Sequence, residues 1–329
     1  MSSTAKFVLM AQPGAPAIPH PEVLERWAAE LRAEFEGLEV VIAATEEEIL
    51  EQLSDADAAY GVLPAGWHAP RLRWLQAPMA NPPLGYFTPE LAAHPVVVTN
   101  MRGVYNDHIA THVMAFLLAF ARGLPHYAHD QRNREYRGGL APVLHLADST
   151  VLFIGAGGVA HQAARYLQPW GPRVVAVDAR PETTAGGAID AVFGADELEA
   201  QLPLADAVVM TVPHTAESEG MLGRAQFALM KPTAVFINIG RGMTVVLDDL
   251  VDALEAGELA GAGLDVFDQE PLPPEHRIWT LPNVLITPHV AMVGPDIDQR
   301  RFELVAGNCR RLLAGEPLQY VVADKILGF

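Results

Sequence analysis

Apolar positions along this chain follow two alternating rhythms. Short apolar runs of strand length occur at residues 6–10, 38–43, 58–63, 74–76 and 96–99. Between the first two lies a segment, 21–35, with Val23, Leu24, Trp27, Leu31 and Phe35 spaced for one face of a helix. A short acidic helix is expected over 46–53. Strand and helix in alternation imply a parallel sheet. Residues 107–122 predict a helix that is apolar all round, which is the pattern of a helix buried between other elements. Asn106 or Asp107 is its expected cap and Pro125 its expected stop. The polar stretch 130–139 reads as an exposed connection.

A second alternating block starts at Thr150. Strands are expected at 151–155, 174–178, 207–212, 234–239, 264–266 and 284–287, with a helix over 160–168. The last helix, 296–313, spaces Phe302, Leu304, Val305, Cys309 and Leu312 for burial. Two α/β units follow from this pattern, and a length of 329 residues agrees with about two domains.

Charge narrows the function. The chain carries 40 acidic and 22 basic residues, a net charge of -18. That argues against a nucleic-acid partner and against adsorption to anionic membranes. A single cysteine, Cys309, allows neither an internal disulfide nor a cysteine metal site, and it suits a reducing, cytoplasmic setting. The apolar run at 7–11 is too short for a signal-peptide core, and no run is long enough to span a bilayer. His126 and His129 have near-ligand spacing but no evident third partner, so no metal is expected.

Chemistry enters with Gly155, Gly157, Gly158, Val159 and Ala160, which follow a strand and open a helix. The first glycine permits a tight turn, the second lets backbone approach a pyrophosphate, and a small third residue permits close helix–sheet packing. The helix N-terminus supplies N–H groups and partial positive charge to the phosphates. Asp178 ends the next strand, where a carboxylate accepts the adenosine ribose hydroxyls. It favours NAD(H), while Arg180 two residues on keeps NADP(H) open.

Downstream, Arg241, Asp265 and His289 each follow or end a strand, and Glu270 precedes Pro271. C-terminal strand ends line one rim of an open parallel sheet. Arg offers a two-pronged donor for a carboxylate, His exchanges a proton near neutral pH, and a nearby Glu orients the imidazole. The set suits reduction of a 2-oxo acid, a small anion whose charge needs a local positive group on so acidic a protein.

These segments, together with Thr211–Thr215, Phe236–Gly242, Gly261–Phe267, Trp279–Val284, Thr287–Ala291 and the tail from Asn308, resemble the D-isomer-specific 2-hydroxyacid dehydrogenases. The resemblance runs from about Leu72 onward. It implies that Arg241 binds the substrate carboxylate, that His289 is the acid/base, and that Glu270 pairs with His289 and raises its pKa. It further implies that Asp265 holds the nicotinamide, that Gly158 and Val159 meet the pyrophosphate, and that Val212, Pro213 and Ile239 flank the cofactor. The implied architecture is α/β with two doubly wound parallel-sheet domains. A Rossmann cofactor domain, 101–291, is inserted into a flavodoxin-like substrate domain made of 1–100 and 292–329. A homodimer through the cofactor domain is implied as well.

Two positions depart from the family pattern. Relatives carry a Gly-Val pair whose N–H groups meet the substrate carboxylate, where this chain has Ala80, Asn81 and Pro82. Pro82 has no N–H to give, and the Asn81 amide is the available replacement. Relatives also carry a Glu at Thr111, a change expected to touch helix packing or the dimer contact. Met79, Asn81, Pro82, Tyr105, Trp279 and Met292 are candidates for the substrate pocket. Alternatives on the same scaffold are oxidation of a phosphite-type anion and a non-catalytic, NADH-sensing corepressor.

Overall fold

The computed structural model describes residues 4–12, 17–83, 85–139, 142–323 and 325. Residues 326–329 of the tail motif lie outside them. The chain divides into two compact units, Met1–Val104 with Pro295–Phe329, and Tyr105–Gly294. Both divisions fall a few residues later than the expected 100/101 and 291/292. Asn100 and Met101 still donate backbone hydrogen bonds to Tyr320 and Met79 of the first unit, at 3.1 Å each. In the second unit the His108 ring packs directly on Gly294.

The first unit begins β1 (Ala5–Met10), α1 (Pro21–Glu34), β2 (Leu38–Ala43), α2 (Glu46–Leu53), β3 (Ala58–Tyr60), β4 (Trp74–Gln76), α3 (Pro89–Ala93) and β5 (Val97–Thr99). Pro21 opens α1, and Leu24, Trp27, Ala28 and Leu31 form its buried face. Thr45 and Glu48 build a reciprocal cap on α2. The five strands are parallel in the order β2-β1-β3-β4-β5, the flavodoxin-like winding.

The second unit contains α4 (Asn106–Ala121), α5 (Leu124–Arg132), β6 (Thr150–Ile154), α6 (Gly158–Leu167), β7 (Arg173–Asp178), α7 (Pro181–Thr184) and β8 (Ala191–Gly194). It continues through α8 (Leu198–Gln201), β9 (Ala207–Met210), α9 (Arg224–Phe227), β10 (Val235–Asn238), α10 (Leu247–Glu255), β11 (Gly261–Leu264) and β12 (Val284–Ile286). The last helix, α11 (Ile297–Ala314), belongs to the first unit. Seven parallel strands run in the order β12-β11-β10-β9-β6-β7-β8. The strand order reverses at β6, as in a Rossmann sheet.

Alternate residues of these strands enter two separate cores. Val151, Phe153, Val209 and Ile237 face a cluster with Val113, Leu117 and Ala164 of α4 and α6. Leu152, Ile154, Met210 and Phe236 face another with Leu250, Val251 and Leu254 of α10. Burial on both faces is why the strands read as continuous apolar runs.

Four expectations need correction. The strand expected at 264–266 is Gly261–Leu264, ending before Asp265. An added Cβ at Gly263 would come within 2.8 Å of the Phe116 ring, and one at Gly261 within 2.7 Å of Phe120. Glycine stands in this strand because two α4 rings pack directly against it, a tertiary reason that overrides strand propensity. Neither Asn106 nor Asp107 caps α4. Its N-cap is Tyr105, with no side-chain cap bond, and Asp107 accepts from the His108 N–H instead. The helix ends at Ala121 with Arg122 as its C-cap, Gly123 turns the chain at φ +63°, and Pro125 opens α5 rather than stopping α4. Within the supposed connection, Asp130 is a buried residue of α5, paired with Arg137.

Candidate active site

Parallel strands deliver their C-terminal ends to one edge of the seven-stranded sheet. Gly155, Asp178, Thr211, Ile239, Asp265 and Thr287 all stand at that edge, at or just past the ends of β6, β7, β9, β10, β11 and β12.

The glycine turn is built by close approach. Gly155 has φ +97°, and a Cβ there would lie 2.8 Å from Thr211 Oγ1 and 2.9 Å from Val212 Cγ1. Thr211 donates its hydroxyl to the carbonyls of Ile154 and Gly155, fastening β9 to the turn. At Gly157, the N-cap of α6, an added Cβ would meet nothing within 4 Å. Backbone is therefore open to a ligand there, at the positive end of α6. The chain fits a dinucleotide on this observation. Gly158 is different: its hydrogen faces the Asn106 amide, and a Cβ would lie 2.3 Å from Asn106 Nδ2. Ala160 is fully buried at the α4–α6 contact.

Asp178 braces the same turn. Its Oδ2 accepts the Ala156 N–H and its Oδ1 the Arg180 N–H, each at 2.8 Å. Val212 and Pro213 line the β9 edge, and Ile239, nearly buried, donates its N–H to Met210.

Arg241 is held between two glycines. A Cβ on Gly240 would reach Val212 O at 2.7 Å, and one on Gly242 would fall 1.8 Å from the Phe267 carbonyl carbon. Only glycine on both sides lets the segment thread between those loops. Buried Asn238 secures it, accepting from the Gly240 N–H and donating to the Arg241 carbonyl. The guanidinium donates to the Gly240 carbonyl at 2.7 Å. Burial pushes its pKa down and the Glu270 carboxylate pulls it back up, with burial the larger effect.

Glu270 uses both oxygens. Oε1 accepts the Phe267 N–H at 2.9 Å, and Oε2 lies 2.8 Å from His289 Nδ1. The Glu270–Pro271 peptide bond is cis. His289 leaves β12 with φ +54°, a left-handed conformation. Its N–H is shared between the carbonyls of Asp265 and Thr287. Both side chains are partly exposed, 40% for His289 and 37% for Glu270, so the imidazole is reachable.

Asp265 is buried and fully engaged. Oδ1 accepts from Val290 N–H at 2.9 Å and from the Thr287 hydroxyl at 2.6 Å, while Oδ2 accepts from Ala291 N–H at 2.9 Å. The carboxylate thus clamps the segment that carries His289. Sequence reasoning missed Asn238, Thr287 and His112 as parts of this construction. Asn238 and Thr287 stand inside the Phe236–Gly242 and Thr287–Ala291 segments and His112 within the apolar helix, and only their tertiary partners reveal the role. Thr111, exposed on α4, donates to the Asp107 carbonyl within its own helix.

Ala80 and Asn81 lie after β4 in the first unit, half-buried. Among the described residues, no cluster of three or more His, Cys, Asp or Glu side chains is placed to hold a metal. No described helix is long and apolar enough to cross a membrane. Cys309 is buried, and burial pushes its thiol pKa up.

A model of the D-isomer specific 2-hydroxyacid dehydrogenase NAD-binding domain matches residues 114–291. This chain belongs to that family. A glyoxylate reductase of Thermococcus gammatolerans is 34% identical over 286 residues, covering 82% of this chain and 84% of its own. Among solved structures, the NADPH-dependent glyoxylate/hydroxypyruvate reductase of Sinorhizobium meliloti, in complex with NADP and sulfate, has a TM-score of 0.78 at 29% identity. It covers 98% of this chain and all of its own. A probable 2-hydroxyacid dehydrogenase of Rhizobium etli, solved with NADP, HEPES and L(+)-tartaric acid, has a TM-score of 0.81 at 26% identity, covering 99% and 100%. The 2-hydroxyacid dehydrogenase is therefore an oxidoreductase with a nicotinamide cofactor.

Proposed function

We propose that this dehydrogenase reduces a small 2-oxo acid to the D-2-hydroxy acid, with NAD(H) as its preferred cofactor. The observation that carries the reading is the reachable His289 imidazole, hydrogen-bonded through Nδ1 to Glu270. Arg241, beside Glu270, adds a charge drawn out of water.

Glu270 accepts the Nδ1 proton, which leaves Nε2 as the nitrogen that faces substrate. In the imidazolium form Nε2 carries the proton delivered to the carbonyl oxygen, and the carboxylate on the other nitrogen stabilises that charge. Arg241 supplies the fixed positive group for the substrate carboxylate, and desolvation strengthens its attraction for an anion. Gly155, Gly157, Gly158 and Val159 hold the pyrophosphate, with Asp178 at the ribose, Val212, Pro213 and Ile239 along the cofactor and Asp265 at the nicotinamide. When bound, the dihydronicotinamide supplies the hydride.

Asp178 supports the NAD(H) preference, because a 2′-phosphate beside its carboxylate would meet like charge. The two solved relatives hold NADP, so both cofactors are measured side by side. We further propose a cytoplasmic homodimer built through the second unit.

The test is oxidation of NADH and of NADPH by purified protein with 2-oxo acids, from glyoxylate and hydroxypyruvate through pyruvate to branched and aromatic members. Turnover favouring NADH and yielding the D-product supports the reading. Preference for NADPH overturns the role given to Asp178. Tight NADH binding without turnover of any 2-oxo acid overturns the reductase.

A further inference from the structure

His112 stands on α4, remote in sequence from the acid/base segment, yet its Nε2 lies 3.0 Å from the Thr287 hydroxyl. The direction of this contact can be deduced. Thr287 has one hydroxyl hydrogen, and it goes to Asp265 Oδ1 at 2.6 Å. A carboxylate that also takes the Val290 and Ala291 N–H groups acts as an acceptor throughout. The Thr287 oxygen is then an acceptor toward His112, and Nε2 must carry the hydrogen. A directed chain results: His112 Nε2–H to Thr287 Oγ1–H to Asp265, whose oxygens grip the backbone on the far side of His289.

The ring is itself aimed by packing. It meets Phe116 edge-on, centroids 4.7 Å apart at 86°, and Phe116 rests on the bare backbone of Gly263. Burial pushes the His112 pKa down against the pull of Asp265, the direction that favours the neutral ring.

We infer that His112 is a positioning residue for His289, acting through Thr287 and Asp265. It touches no reacting atom. It holds the left-handed turn in which His289 sits, so that the imidazole presents Nε2 in one orientation. The inference rests on the proposed acid/base role of His289 for its kinetic consequence, but not for its structural one.

The experiment compares His112→Ala, His112→Gln, Thr287→Val and the double variant His112→Ala/Thr287→Val in the full chain. Gln places an amide N–H near the Nε2 position and keeps the donor. Amide hydrogen exchange of the segment 287–291 is read against β6 as an internal control. Loss of the chain is expected to speed exchange at Val290 and Ala291 about tenfold in the Ala variant, with β6 unchanged and Gln close to wild type. With the preferred 2-oxo acid, kcat is expected to fall about tenfold in the Ala and Val variants while the KM for NADH holds. The double variant loses no more than the worse single, since both cut one chain.

Unchanged exchange in the Ala variant, failure of Gln to restore it, or multiplied losses in the double variant each overturn the inference. Should wild-type protein turn over no 2-oxo acid, the reading of the site fails, and the exchange comparison still decides for or against His112.

Discussion

Glu270 reaches His289 Nδ1 at 2.8 Å with one oxygen while the other takes the Phe267 N–H at 2.9 Å. The carboxylate is thereby anchored to the end of the β11 segment before it meets the ring, and its charge has a fixed address. Glu270→Gln keeps a group that accepts from Nδ1 but removes the charge that supports an imidazolium. We expect kcat for 2-oxo acid reduction to fall about tenfold or more, with NADH binding by fluorescence unchanged. His289→Asn, which tolerates the left-handed backbone, is expected to lose about 10²–10⁴ in kcat. Wild-type turnover in either variant removes the pair from the chemistry.

Two glycines of the site are expected to fail in opposite ways. Gly242→Ala would drive its Cβ into the Phe267 carbonyl, at 1.8 Å from carbon and 2.1 Å from oxygen. Backbone must shift, and a destabilisation of about 3 kcal/mol or more is expected in urea melts. Gly157→Ala places its methyl in open space. Stability should hold within about 0.5 kcal/mol while NADH affinity drops about tenfold. Equal stability loss in both would refute this division of labour.

Asp178 braces Ala156, and in the proposed reading its charge also repels a 2′-phosphate. Asp178→Asn retains an acceptor for the Ala156 N–H but lacks the charge. The ratio of kcat/KM for NADH over NADPH should fall about tenfold, with little change in Tm. Asp178→Ala should shift the ratio likewise and also lower Tm, because the Ala156 N–H loses its partner. An unchanged ratio in both variants assigns cofactor choice elsewhere.

Acid should weaken the fold before its carboxylates titrate. Burial holds His112, His94 and His126 below the ordinary histidine value of 6.5. As pH drops under that value the unfolded chain gains protons that these folded sites refuse, so stability present above it is lost on acidification. The urea midpoint is expected to be lower at pH 5.5 than at pH 7.5. A midpoint flat across that interval contradicts the assignment.

Much of the site was legible because its chemistry is local in sequence. The glycine turn, Asp178, Arg241, Glu270 and His289 each belong to a short motif at a strand end, and apolar runs mark β6, β7, β9 and β10 directly. What escaped depends on tertiary partners. The strand expected at 264–266 begins at Gly261, and the place of Gly261 and Gly263 in it is explained only by Phe120 and Phe116 packing on them. Asp130 reads as a loop residue until Arg137 is found beside it. His112 looks like one more position of an apolar helix, because nothing along the chain says that Thr287 is its neighbour.

The left-handed backbone at His289 has a consequence for how this centre can change. Only glycine, asparagine, aspartate and histidine enter that conformation readily, and of these histidine alone exchanges a proton near neutrality. A lysine, tyrosine or glutamate at this position would bear a backbone penalty of about 1 kcal/mol or more before doing any chemistry. A different proton donor here would start from that handicap, so the bend of the chain favours histidine at this position independently of the proposed chemistry.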